Sequence, residues 1–151
     1  MGERLLIHGT AVALDGEAVL LRGPPGAGKS DLALRLIDGG GRLVADDQTE
    51  IVRRGDRLWA RAPAALAGLL EIRGVGILPV AAMAEAPLAL LVDLVAPAAI
   101  ERLPEAAVES LLGLSLRRLA LAPFEASAAA KLRALRHAFA PAGAHAILGP
   151  W

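Results

Sequence analysis

The chain predicts an α/β fold, with a mixed sheet flanked by helices around one core, and three observations carry that expectation. Strand-length apolar runs are punctuated by turn signals such as Asp15-Gly16. One glycine-rich loop, GPPGAGKS, stands between an apolar strand and a helix with leucines on one side. At 151 residues, 55% of them hydrophobic, the chain is long enough for one real core and too short for two comfortable ones, so residues 1–151 are expected to form a single domain.

The elements follow in order. Arg4–Leu14 is β-like, Asp15-Gly16 turns, and Glu17–Arg22 is a second strand running straight into the loop. Lys29–Asp38 reads as a helix with Leu32, Leu36 and Ile37 inward, stopped by Gly39-Gly40-Gly41. Arg42–Ala45 is a short strand that ends in Asp46-Asp47. Residues 49–53 and Arg57–Arg61 form a hairpin about Arg54-Gly55-Asp56, and residues 64–70 a helical turn or short helix. LEIRGVGIL, residues 70–78, reads as extended; residues 87–95 are a strand buried on both faces. A closing helix spans residues 126–140, with Leu132, Leu135 and Phe139 inward and Arg133, Arg136 and His137 outward.

Composition excludes several classes. Lysine plus arginine and aspartate plus glutamate stand at 16 each, so no global field favours nucleic acid or an anionic membrane as a partner. The chain has no cysteine, which removes disulfides and thiolate chemistry and leaves a reducing, cytoplasmic setting as the expectation. The apolar tract of residues 74–100 is interrupted by Pro79, Glu85, Pro87, Asp93 and Pro97, and suits buried strands rather than a membrane span. Charges at Glu3 and Arg4 and the lack of a cleavage-like end argue against a signal peptide.

Gly23-Pro24-Pro25-Gly26-Ala27-Gly28-Lys29-Ser30 fits G-x-x-x-x-G-K-[ST] at every fixed position. In such a loop, glycines let backbone N–H groups converge on phosphate oxygens, and the helix N-terminus adds its positive end. The lysine reaches the β- and γ-phosphates, and the serine ligates Mg²⁺. Pro24 and Pro25 donate no N–H, so the donors come from Gly26 onward. The chain holds only two lysines, Lys29 and Lys131, against fourteen arginines, and one of the two stands where a slim, flexible point charge suits phosphate.

Asp46-Asp47 closes a strand where a carboxylate can sit beside a phosphate loop. One aspartate is suited to organise Mg²⁺ and the other to take a proton; an Asx-type turn is the alternative. Glu71 and Arg73 alternate on an extended segment, offering a metal-ligating carboxylate and a phosphate-pairing guanidinium, or else a surface ion pair. His8 and Arg102 have no distinguishing context of their own.

Taken together, His8-Gly9, GPPGAGKSD, RLVADD and LEIRGVGIL resemble, in order and spacing, the catalytic domain of the HPr kinase/phosphorylase family. The resemblance covers residues 4–78 well and thins beyond Val95; LEIRG followed by V-G-I is its most specific part. It implies the phosphoenolpyruvate-carboxykinase-like variant of the phosphate-loop fold, with ATP and Mg²⁺ as cofactors. It also implies a serine kinase acting on the phosphocarrier HPr that removes the phosphate by phosphorolysis. By the same resemblance residues 23–30 bind nucleotide, Lys29 stabilises the transferred phosphoryl group, and Ser30 with Glu71 holds the metal. Asp46 supports the metal, Asp47 is the base, His8 positions phosphates, and Arg102 in ERLP matches a catalytic arginine. A homo-oligomer, hexameric in the family, is implied as well.

The departures carry expectations too. Where the family has an arginine-containing stretch linked to dephosphorylation, this chain reads Pro123-Phe124-Glu125-Ala126-Ser127, so weak or absent phosphorylase activity is expected. The family's N-terminal domain is not in this sequence, which reads as a stand-alone catalytic form. A small-metabolite kinase and an ATP-sensing module without transfer are the competing readings of the same loop.

Overall fold

The structure, a computed structural model, describes residues 3–136. β1 (Arg4–Leu14) is long enough to serve two partners in succession. Its first half, residues 4–8, pairs antiparallel with β4 (Gln48–Arg54). Its second half pairs antiparallel with β2 (Glu17–Arg22) on one side and β3 (Arg42–Ala45) on the other. Because β2 and β3 both run against β1, they are parallel to each other, and α1 (Lys29–Asp38) crosses over β1 to join them. The end of β3 therefore lies at the same edge of the sheet as the loop that follows β2.

β8 (Glu85–Leu94) also changes partners along its length. Residues 85–87 run antiparallel to β5 (Arg57–Arg61), while residues 88–94 run parallel to β2 and to β10 (Leu114–Leu121). β9 (Ala107–Leu111) forms the outer edge against β10. With β4 paired to β5, the strands β1, β2, β8, β5 and β4 close a circuit. β6 (Leu69–Ile72) and β7 (Gly76–Pro79) form a separate two-stranded sheet, and α2 (Ala128–Leu135) packs beside α1.

Period-2 alternation divides two cores across β2. Val19 and Leu21 face the helices with Leu32, Leu36 and Leu132, while Ala18 and Leu20 face the interior of the circuit with Ala11, Ile51, Ala60 and Leu91. Alanines at 11, 13, 18, 60 and 86 are all buried there, and their small side chains let the two halves of the circuit close on each other.

The fold class follows the expectation, as do the bounds of β1, β2, α1, β3 and β5. β4 gains one residue at each end, because His8 of β1 pairs with Gln48 and the hairpin ladder extends to Arg54 opposite Arg57. The predicted turn at residues 64–70 is a single 3₁₀ turn, Ala64–Leu66, since β6 begins at Leu69. Residues 70–78 are not one extended segment. Val75 N–H donates to the Ile72 carbonyl at 2.9 Å and Gly74 has φ 81, which folds them into the β6–β7 hairpin. β8 starts at Glu85 and is buried on both faces only at residues 90–92, where it lies between the helices and the circuit interior. α2 begins at Ala128, two residues later than predicted, and the predicted stretch beyond residue 136 lies outside the described residues. Arg133 is not outward: it lies across Gly39 and donates to the Arg35 carbonyl at 2.7 Å. Phe139 and His137 lie outside the described residues.

Arg22, the last residue before the loop, is fixed from two strands. Its guanidinium donates to Asp93 Oδ1 at 2.9 Å and to both Glu109 oxygens at 2.7 and 2.9 Å. Arg118 joins Asp93 at 3.0 Å. The hydrogen bonds from Arg22 hold the Glu109 carboxyl below the usual glutamate range. A depressed folded-state value means that this stabilisation is present above the unfolded value of about 4.3 and is lost as pH falls through the folded one. Glu109→Gln is expected to cost about 1 kcal/mol near neutral pH and to flatten the acid limb of stability against pH, as measured by urea unfolding across the acid range.

Candidate phosphoryl-transfer site

The loop of residues 23–30 connects β2 to α1 at the carboxyl end of the sheet. Gly26 and Gly28 adopt φ 81 and 102, conformations that side chains resist, and the chain can thereby coil tightly into the helix. The Ala27 N–H donates to the Pro24 carbonyl at 3.0 Å, so it is spent inside the loop; this narrows the expected donor set from Gly26 onward. The N–H groups of the first turn of α1 have no partner within the helix and stay directed at the loop's mouth. Lys29 is 7% exposed, and its ammonium donates to the Gly23 and Pro24 carbonyls at 2.6 and 3.1 Å.

Asp46 is the organising carboxylate. Its Oδ1 accepts from Ser30 Oγ at 2.9 Å and Thr10 Oγ1 at 3.1 Å, and its Oδ2 accepts from the Glu71 N–H at 3.1 Å. Thr10, fully buried on β1, also accepts from the Asp47 N–H at 3.1 Å. Asp47 itself turns outward with φ 66, a left-handed conformation that aspartate tolerates better than most residues. Its carbonyl accepts from the Gly9 N–H at 2.8 Å and its Oδ1 lies 3.3 Å from His8 Nε2, while its side chain stays 62% exposed.

A cavity of about 770 Å³ joins these parts. The loop residues Pro25, Gly26, Gly28, Lys29 and Ser30 line one wall; Asp47, Glu71 and Arg73 line another. Arg73 opens the β6–β7 turn rather than continuing β6, so strand alternation does not place it beside Glu71; the hairpin does. Asp46 stands behind Ser30, and His8 behind Asp47. Arg102 is exposed in an irregular segment and does not line the cavity.

Sequence reasoning missed Thr10 and Phe124. Thr10 carried a signal, a hydroxyl in an otherwise apolar half-strand; Phe124, which edges the cavity, carried only its aromatic character. Among the described residues no three His, Cys, Asp or Glu side chains converge as a metal site on their own. The Ser30 hydroxyl and the Glu71 carboxylate, both lining the cavity, are oxygen groups that fit Mg²⁺, which takes few protein ligands and completes its shell with phosphates and water; Asp46 supports this pair by accepting from the Ser30 hydroxyl and the Glu71 N–H. No helix among the described residues is long and apolar enough to cross a membrane.

Comparison with known proteins gives the family and the fold. Residues 1–109 match the family model of the HPr Serine kinase C-terminal domain. The chain belongs to this family. Over 81 residues it is 44% identical to an HPr kinase/phosphorylase of Levilactobacillus brevis, covering 53% of this chain and 26% of that protein. It is 49% identical over 75 residues to one from Exiguobacterium sp., covering 49% and 24%. The chain thus spans about a quarter of the length of the curated relatives it matches. The solved Hpr(Ser) kinase/phosphatase from Coxiella burnetii superposes with a TM-score of 0.78 at 26% identity, over 87% of this chain and 93% of that one.

Asp46 alone links three elements, so its removal leaves two hydroxyls and one N–H without their acceptor. Asp46→Ala is expected to lower stability by about 2 kcal/mol, read from urea unfolding.

Proposed function

We propose that this chain is an ATP-dependent protein-serine kinase that phosphorylates HPr or an HPr-like phosphocarrier. The observation that carries the reading is an outward carboxylate, Asp47, lining the same cavity as Lys29 and Ser30 of the phosphate loop, in a chain of this family. A module that only holds nucleotide has no need of an acid at that wall.

In this mechanism the loop N–H groups and Lys29 grip the triphosphate, and Lys29 offsets charge on the transferred oxygens. Asp47 takes the proton as the serine Oγ attacks the γ-phosphorus; the bond to the bridging oxygen breaks and ADP leaves. Ser30 and Glu71 would hold Mg²⁺, with Asp46 fixing the Ser30 hydroxyl; when bound, the ion supplies charge neutralisation between the phosphates. Asp47 is held by its backbone bonds and by His8, so the base is set before a carrier arrives.

The same reading takes residues 1–151 as one catalytic unit working in the cytoplasm. It also assigns weak or absent phosphorylase activity. The loop at Pro123-Phe124-Glu125 brings no guanidinium of its own, and the nearby Arg35 is occupied by Asp31 and by the Pro123 and Glu125 carbonyls. Arg102 stays within the proposal only as a residue that meets the phosphates once a carrier or second subunit is docked. Homo-oligomer formation is supported by exposed apolar side chains on the β6–β7 hairpin, Val75 and Ile77 being 68% and 66% exposed.

Labelled ATP, Mg²⁺ and purified HPr-type carriers test the assignment. Label is expected on a carrier serine. Asp47→Asn, which keeps the left-handed backbone accessible, is expected to slow transfer at least about 100-fold with ATP affinity retained. Lys29→Ala should lose both transfer and tight binding. Label on a metabolite or nowhere, or a fully active Asp47→Asn, sinks the reading.

A further inference from the structure

A second cavity, of about 520 Å³, lies on the opposite flank of the phosphate loop and has no part in the transfer chemistry. Pro24 and Ala27 of the loop form one wall, Leu94, Val95, Ala96 and Pro97 another, and Ala122 to Glu125 the third. These are the segments that follow β2, β8 and β10, three mutually parallel neighbours, and ligands of α/β sheets bind beyond the carboxyl ends of such strands. The walls are almost wholly apolar; Glu125 is the one charged side chain among them, and Lys131 lies 3.4 Å from it.

Phe124 stands between the two cavities and lines both. Its ring packs so closely on Gly28 that a Cβ there would fall 2.9 Å from Cζ, yet the side chain is 69% exposed. An aromatic ring left open to solvent beside a phosphate cradle is placed to stack on a flat, weakly polar group attached to those phosphates. The polar wall of Asp47, Glu71 and Arg73 occupies the acceptor side, so the remainder of the nucleotide leaves on the other flank.

We infer that the Phe124 cavity is the base subsite of the nucleoside triphosphate, with Phe124 as the stacking residue that sets nucleotide affinity. The inference rests on the proposed phosphate-loop function and adds to it the place of the base. Apolar walls recognise the ring's face rather than its edge, so the subsite takes a purine by stacking and shape.

Calorimetric titration of the full chain with MgATP and with magnesium tripolyphosphate, which lacks a base, tests this. Phe124→Ala and Ala96→Trp, the first removing the stack and the second filling the cavity at an exposed position, should each weaken MgATP about tenfold and leave tripolyphosphate unchanged. Phe124→Trp should keep wild-type MgATP affinity. MgATP binding untouched by both variants overturns the subsite while leaving the phosphate-loop reading intact, and so does a parallel loss of both ligands, which would make Phe124 a prop for the loop. A raised carrier KM with unchanged ATP affinity overturns it in favour of protein docking. A wild-type chain that binds neither ligand defeats the phosphate-loop function and the subsite together.

Discussion

The half-buried carboxylate of Asp46 is the constraint around which the site is arranged. Both its oxygens are engaged, by donors from β1, from the head of α1 and from β6. Each donor belongs to a separate part of the fold, so satisfying one side chain sets the seat of the helix, the height of the hairpin and the exit of β3 together. The next residue inherits the geometry. With Thr10 engaged by both Asp46 and the Asp47 N–H, the chain is forced outward into a left-handed turn, and the second aspartate of the pair is delivered to the cavity. Two adjacent identical residues thereby acquire opposite tasks, one as anchor and one as exposed acid.

The division of labour extends across the loop. On one flank, charged and hydroxyl groups gather on short, separately anchored pieces. On the other, apolar walls follow the ends of three parallel strands. Both flanks depend on Arg22 being tied to Asp93 and Glu109, because that bond set holds the strand ends level. A guanidinium is suited to this joint, since its planar fork meets two carboxylates at once.

Much of this was legible in the residues. GPPGAGKS, the Asp15-Gly16 turn and the amphipathic run 29–38 specify β2, the loop and α1 locally, and their bounds follow the reading. LEIRGVGIL was not, because its apolar alternation suits an extended strand while Gly74 and Gly76, at φ 81 and 137, allow the hairpin that forms. β9 and β10 escaped for another reason. Exposure alternates along β10 and Arg117-Arg118 interrupts its apolar pattern, so the strand is defined by pairing with β8 rather than by its own composition. The ties from Arg22 to Asp93 and Glu109, and from Asp46 to Glu71, join residues far apart in the chain, and no local pattern announces them.

The closed circuit of strands has a kinetic side. β2 finds its parallel neighbour only when residues 88–93 are available, and Arg22 meets Asp93 across 71 positions of chain. Loop closure over such separations comes at an entropic cost before any contact rewards it, so topologies of this kind fold slowly. On the ribosome the β1–β2 hairpin and α1 emerge before β8, so the edge of β2 that β8 covers stays open until β8 has left the exit tunnel. The phosphate-loop segment, synthesised before β8, thus waits for β8 before its flanking strand gains a parallel neighbour.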